Sequence, residues 1–177
     1  MTRQRLEVGL TQVYTGNGKG KTTAALGLAL RAMGRDLKVY MIQFIKGGFD
    51  YGELYIRDCL PNFRLIAFGR GEFINGPLTE VDLEQAREAF QMAKKVINSE
   101  EYDIVILDEI NVALHLGLIP LDEVIDLIKG KPSHIELVLT GRYAPPEILE
   151  LADLVTEMRE IKHPYQKGVL ARKGIEY

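Results

Sequence analysis

The stretch Val13-Tyr14-Thr15-Gly16-Asn17-Gly18-Lys19-Gly20-Lys21-Thr22-Thr23 constrains this chain more than any other. An apolar run, Val8 to Tyr14, reads as a buried strand, and Lys21 to Met33 reads as a helix. Between them lie Gly16, Gly18 and Gly20, whose backbone N–H groups can face phosphate oxygens at a helix N-terminus. This is the composition of a phosphate-binding loop. Lys21 supplies a point charge and the Thr22 hydroxyl is placed to hold Mg2+. One detail departs from the usual G-x-x-x-x-G-K-[ST] spacing: Thr15 occupies the first glycine position and Gly16 comes one residue late.

The rest of the chain repeats the strand-then-helix pattern. Strands are expected at Lys38 to Phe44, Phe63 to Phe68, Tyr102 to Glu109, Ile135 to Thr140 and Leu154 to Met158. Helices are expected over Phe49 to Leu60 (short), from Thr79 with Asp82 three residues on as a partial capping pattern, over Leu121 to Ile128, and from Pro145-Pro146 through Ala152. The first helix, apolar nearly all round, is expected to pack hard against the sheet, with Gly34 as its C-cap. Met1 to Glu7 reads as a loose polar terminus, and Gly69 to Pro77 as an exposed glycine-rich loop. Apolar strands alternating with helices imply an α/β protein: a mostly parallel sheet, three layers deep, covered on both faces. Such folds bind ligands at the carboxyl ends of their strands, where every polar motif here falls.

Composition narrows the function classes. A length of 177 residues, with 46% hydrophobic and 27% charged, suits one domain over residues 1–177 with a sizeable core. A net charge of −3 argues against a general nucleic-acid surface. The single cysteine, Cys59, excludes an internal disulfide and a four-cysteine zinc site, and reads as a small core hydrophobe in a reducing cytoplasm. No apolar run approaches membrane-spanning length.

Asp108-Glu109, after four apolar residues, is the expected metal-side element of a phosphate-binding-loop protein, since a strand end holds the carboxylates near Thr22 and the phosphates. An extra strand between loop and carboxylates resembles the RecA-like branch. Thr140-Gly141-Arg142 ends a core strand and could place Arg142 against phosphate. Gln43-Phe44-Ile45-Lys46-Gly47 also sits at a strand end, where Lys46 could contact an anion or be solvated. His115, His134 and His163 lack metal spacing. The tail from Lys162 to Tyr177 is basic with aromatics, and its Gly, Val, Leu and Ile content suggests that it folds back on something.

Taken together, these segments resemble one family, the P-loop ATP:corrinoid adenosyltransferases of the CobA/CobO/BtuR type. The resemblance rests on Tyr14 through Ala25, Gln43-Phe44-Ile45-Lys46-Gly47, Ile106-Leu107-Asp108-Glu109, Leu139-Thr140-Gly141-Arg142, Ile148 through Asp153, and the ending Lys162-His163 … Gly174-Ile175-Glu176-Tyr177. It implies transfer of the 5′-deoxyadenosyl group of ATP to the Co(I) of a reduced corrinoid, with release of triphosphate, in adenosylcobalamin synthesis or salvage. It implies ATP held by Gly16, Asn17, Gly18, Lys19, Gly20, Lys21, Thr22 and Thr23. Lys21, Glu109 and Arg142 are the catalytic set it implies. Mg2+, with Mn2+ as a substitute, falls to Thr22, Asp108 and Glu109. It further implies a flavin-dependent reductase as electron donor, a homodimer, and no nucleic-acid or membrane partner.

Two departures stand out. Family members commonly carry Gly-Phe-x-Trp in the loop, where this chain has Gly71-Glu72-Phe73-Ile74 and no tryptophan. Phe73, with Lys46, is therefore the expected corrinoid contact. Met1 to Glu7 is shorter than the segment associated with covering the site in bacterial relatives, so closure is expected to differ. The competing reading is a P-loop regulator that binds and hydrolyses ATP and acts on a protein partner, and a small-molecule kinase is a third.

Overall fold

The computed structural model describes residues 5–74 and 76–177. The expected terminus over Met1–Gln4 and position Asn75 of the glycine-rich loop lie outside the described residues. In chain order the elements are β1 (Thr11–Thr15), α1 (Lys21–Met33), β2 (Val39–Gln43), α2 (Glu53–Ile56), β3 (Phe63–Ala67), α3 (Glu80–Asn98) and β4 (Ile104–Asp108). They continue with α4 (Ile110–His115), α5 (Leu121–Gly130), β5 (Glu136–Thr140), α6 (Pro146–Leu151), β6 (Leu154–Glu157) and a 3₁₀ turn, Pro164–Lys167. The six strands form one sheet in the order β3-β2-β4-β5-β1-β6, parallel at every pairing. β5 thus lies between the strand that precedes the glycine loop and the strand that carries Asp108, the arrangement expected of the RecA-like branch.

Strand periodicity builds the two faces. Ile104 and Ile106 of β4, Val138 of β5 and Met41 of β2 pack with Ala25, Ala29 and Ala32 of α1. Their neighbours Val105, Leu107, Leu137, Leu139 and Ile42 point the other way, onto Phe90 and Ala93 of α3, Ala113 of α4 and Val124 and Ile128 of α5. Side chains alternate across a strand, so one apolar run fills two cores. Each fully buried Ile, Leu or Phe contributes about 1.5–3 kcal/mol of transfer free energy. The central strands therefore carry both layers.

Three readings are corrected. Helix α1 buries a single face, Ala25, Ala29 and Ala32, and leaves Leu30 63% exposed; small side chains on that face let the helix approach the sheet closely. Strand β6 is an edge strand exposed along its whole length, so the sheet is not covered there. Cys59 is exposed at the end of the α2 segment rather than in the core, because α2 spans only Glu53–Ile56 and buries none of its residues. Gly34 is the C-cap of α1 as expected, in right-handed geometry, its N–H donating to the Leu30 carbonyl.

The Thr79 cap forms as expected. Its hydroxyl accepts from the Asp82 N–H while the Asp82 carboxylate accepts from the Thr79 N–H, closing a full capping box on the 19-residue α3. Thr79→Ala is expected to lower stability by about 1 kcal/mol, read as a lower urea midpoint at unchanged slope. An unchanged midpoint would show that the box contributes nothing.

Candidate active site

The loop after β1 reverses direction against β6. Strand β1 continues through Thr15, which pairs with Glu157, so the chain is still extended where a glycine is usually required. The turn begins at Gly16, with φ +93°, where a Cβ would lie 2.5 Å from the Met158 carbonyl oxygen. Gly18 donates to that same oxygen at 2.6 Å. The late glycine is therefore a one-residue extension of β1, paired with β6. The Lys21 ammonium, beneath the loop, donates to the carbonyls of Gly16 and Gly18 at 2.8 Å each. Burial pulls its pKa down, assisted by Arg142 and Lys46 and opposed by Glu109 and Asp108.

Asp108 ends β4 fully buried and collects donors from three other elements. Thr22 of α1 and Thr140 of β5 donate to Oδ1 at 2.9 and 2.6 Å. Gln43 of β2 and Lys46 just beyond it donate to Oδ2 at 3.1 and 2.7 Å. Burial pushes the carboxyl up, but the Lys46 charge and these hydrogen bonds win, and Asp108 is held below the ordinary carboxylate range. Glu109 follows in left-handed geometry, φ +63°, a costly conformation for a residue with a side chain. Its N–H donates to Thr140 Oγ1 at 3.0 Å, which fixes the turn. Burial and the Asp108 charge push the Glu109 pKa up, against the opposing pull of Lys46, Lys21 and Arg142.

These groups wall a cleft of about 530 Å3, within the range that takes one nucleotide-sized molecule. The glycine loop, Lys21, Thr22, Lys46, Glu109 and Arg142 all line it. Arg142 is exposed at the rim. The tail folds back as expected: Lys19 Nζ donates to the Ile175 carbonyl at 2.9 Å, and Glu176 to Tyr177 form part of the cleft wall. Arg172 hydrogen-bonds Glu176 and holds its carboxyl down at about 2.

The sequence-predicted residues divide between two places. Residues 17–23, Glu109, Arg142 and Lys46 line the cleft, and Asp108 lies fully buried behind Thr22 and Lys46. Lys46, paired with Phe73 in the sequence reading, contacts Thr22 at 3.0 Å and Asp108. Phe73 stands apart, 69% exposed, with its ring centroid 4.9 Å from that of Phe49. Phe49 in turn lies 5.7 Å from Tyr51, whose ring faces the Lys46 ammonium at 5.3 Å. An aromatic row thus connects the cleft to Phe73. Tyr51, Glu53 and Thr140 were not singled out from sequence as ligands of this site. A buried hydroxyl closing an apolar strand was the one available signal for Thr140, whereas Tyr51 and Glu53, which also line the cleft, sit in a short expected helix whose pattern does not tell which side faces a ligand. His115 is exposed and packs its ring against Tyr143 at 4.3 Å.

The donor chemistry suits a hard divalent cation. Thr22 and Asp108 present a hydroxyl and a carboxylate within hydrogen-bond distance of each other, the sparse oxygen set that Mg2+ uses when phosphates and water complete its shell. Among the described residues, no three His, Cys, Asp or Glu side chains converge as a metal cage.

Loop, strand-end carboxylates and strand order define a nucleotide-binding protein of the P-loop, RecA-like class. A solved structure titled the cytoplasmic domain of EssC shares the fold, with TM-score 0.58 at 18% identity, covering 96% of this chain and 35% of that one. The sequence model of the family described as ATP:corrinoid adenosyltransferase BtuR/CobO/CobP matches residues 7–177. Curated relatives agree. A corrinoid adenosyltransferase of Escherichia coli K12 is 40% identical over 97% of this chain and 87% of its own length. One from Pseudomonas aeruginosa is 36% identical over 100% of this chain and 88% of its own. The corrinoid adenosyltransferase CobA of Salmonella typhimurium is 39% identical, covering 97% and 87%. The chain belongs to the ATP:corrinoid adenosyltransferase family and is an enzyme of adenosyl transfer, and the regulator reading has no support in these relatives.

The raised Glu109 pKa has a consequence for stability. A carboxyl that titrates higher in the folded protein than in the unfolded chain destabilises the fold when ionised. Glu109→Gln removes that charge and is expected to raise the urea midpoint at pH 7.5. The gain should shrink as pH falls toward the unfolded carboxyl value of about 4.3, where Glu109 is neutral in both states. A gain that grows on acidification contradicts the assigned environment.

Proposed function

We propose that the cleft binds MgATP with its triphosphate on the glycine loop, and that the reduced corrinoid meets the 5′-carbon from the side of Phe73. The observation that carries this reading is the convergence of Lys21, Thr22, Lys46, Glu109 and Arg142 on one nucleotide-sized cleft, with Asp108 buried behind Thr22 and hydrogen-bonded to it, in a chain of the adenosyltransferase family. In the reaction the Co(I) electron pair attacks the ATP 5′-carbon, the bond from that carbon to the triphosphate oxygen breaks, and its electrons leave with the triphosphate. No proton moves on the nucleophile, so no general base is required. The residues serve charge instead. Lys21, the loop N–H groups and Arg142 stabilise the leaving triphosphate. Thr22 and Asp108 would hold Mg2+ or Mn2+, with Glu109 beside them as a further ligand or an orienting group. When bound, the cation supplies further neutralisation of the leaving group.

Phe73, exposed and stacked on Phe49, supports an apolar contact with the corrin ring in place of the missing tryptophan. Lys46, held against Asp108, is better supported on the metal side. Electrons for Co(I) come from a flavin-dependent reductase outside the chain. A homodimer is carried over from the family resemblance. The lone cysteine suits a cytoplasmic location; no described helix is long and apolar enough to cross a membrane.

The leaving group is the test. Protein, MgATP and chemically reduced corrinoid, incubated without oxygen, should yield a light-sensitive cobalt–carbon product and triphosphate in equal amounts. ADP or inorganic phosphate without that product overturns the reading. Lys21→Ala should lower turnover by about 10²-fold or more with the circular dichroism spectrum unchanged, and near-normal turnover removes Lys21 from its role. Phe73→Ala should raise the corrinoid KM with little change in the ATP KM, and unchanged corrinoid kinetics place the ring elsewhere.

A further inference from the structure

We propose that Lys46 is the resident counter-ion of the metal seat, so that a divalent cation settles between Thr22 and Asp108 only when nucleotide arrives to receive the displaced ammonium. The inference rests on the metal reading above and adds the order of binding. Lys46 Nζ lies 2.7 Å from Asp108 Oδ2 and 3.0 Å from Thr22 Oγ1, while Thr22 Oγ1 lies 2.9 Å from Asp108 Oδ1. One ammonium therefore touches both side chains that would hold the cation. Mg2+ needs its oxygens at about 2.1 Å, so a dication drawn to Thr22 Oγ1 and Asp108 Oδ1 is repelled at close range by the ammonium held on Thr22 Oγ1 and Asp108 Oδ2.

The pairing is not a loose surface contact. The Lys46 side chain is 13% exposed and that of Asp108 is 0% exposed, so water screens the pair poorly. The backbone is built to hold it there. Ile45, just before Lys46, adopts φ +54°, a genuine outlier for a β-branched residue. Gly47, just after, donates to the Phe68 carbonyl at 2.7 Å, and a Cβ on Gly47 would lie 2.5 Å from the Gly69 N. Strain before the lysine and a tight crossing after it fix where the stem starts. Outliers of this kind persist where surrounding structure over-determines them, and they cluster at functional sites.

Free cation gains little from such a seat, because it must expel a charge that already satisfies Asp108. Nucleotide changes that balance. Lys46 lines the same cleft as the glycine loop, so an ammonium leaving the seat meets triphosphate oxygens. The Tyr51 face, 5.3 Å from Nζ, offers a partner on the same side. Cation and nucleotide then favour each other's binding, and that coupling is reciprocal.

Mn2+ binding to the full chain, followed by the loss of the free-ion electron paramagnetic resonance signal, tests this without turnover. Lys46→Gln removes the charge yet keeps an amide donor for Asp108. In the absence of nucleotide it should bind Mn2+ about tenfold or more tightly than the unaltered chain. Lys46→Arg keeps the charge and should stay at the unaltered value. Adding Asp108→Asn to Lys46→Gln should abolish the gain. The proposal is overturned if Lys46→Gln binds Mn2+ no better, if Lys46→Arg gains as much as Lys46→Gln, or if the gain survives loss of Asp108. The metal reading fails separately, if ATP brings no Asp108-dependent Mn2+ to the unaltered chain.

Discussion

The Asp108 carboxylate is the knot of this protein. Four donors reach its two oxygens, from α1, β2, the turn after β2, and β5. A fully buried anion is tolerable only when charge and hydrogen bonds replace the water it has lost. Here the groups that replace water are those a phosphate-binding site needs: the hydroxyl next to the loop lysine, a strand-end hydroxyl, an amide and an ammonium. The condition for burying Asp108 and the condition for assembling the cleft are the same. Thr140 shows the economy best, since it donates to Asp108 while accepting from the Glu109 N–H, and so fixes the turn that aims the next carboxylate.

Around that knot the exits of the strands behave alike. Gly16 after β1, Ile45 after β2, Gly69 after β3, Glu109 after β4 and Gly141 after β5 all have positive φ. A strand running on in extended geometry would carry its next side chains away from the sheet edge; a left-handed residue turns the chain at once. The loop, Lys46, Glu109 and Arg142 are thereby gathered at one end of the sheet, where ligands of parallel α/β folds bind. Two of these five residues are not glycine, and both neighbour or form the charged part of the site.

Much of the fold was legible because it depends on short-range patterning. Lys21–Met33 was read at both its ends, since loop glycines stop at one and a polar turn begins at the other. The Thr79 capping box was visible as a hydroxyl and a carboxylate three apart. Strand cores were legible from apolar runs, although most ends were read one to three residues too long and the first strand was read one residue short of Thr15. Edge and centre were harder to separate. β6 looks like the other strands in sequence but has a partner on one side only, and apolar content does not report which strands become neighbours. Cys59 failed for a related reason: a small hydrophobe is usually buried, but here the helix meant to bury it is a single exposed turn.

The site divides along the same line. By itself the sequence determined the loop, its lysine and hydroxyl, the strand-end carboxylates, the arginine after β5 and the parallel α/β class. Each is a local string whose chemistry and periodicity do not wait on distant contacts. Only the tertiary structure decided that Thr140, Gln43 and Lys46 converge on Asp108, that the C-terminal residues line the cleft, and that Phe73 joins it through Phe49 and Tyr51. Those contacts join residues tens of positions apart across neighbouring strands, and strand order is set by the packing of two cores rather than by any one segment. The late glycine belongs to both accounts. Its position was plain in the sequence, but its cause, the pairing of Thr15 with Glu157 in β6, exists only once the edge strand is in place.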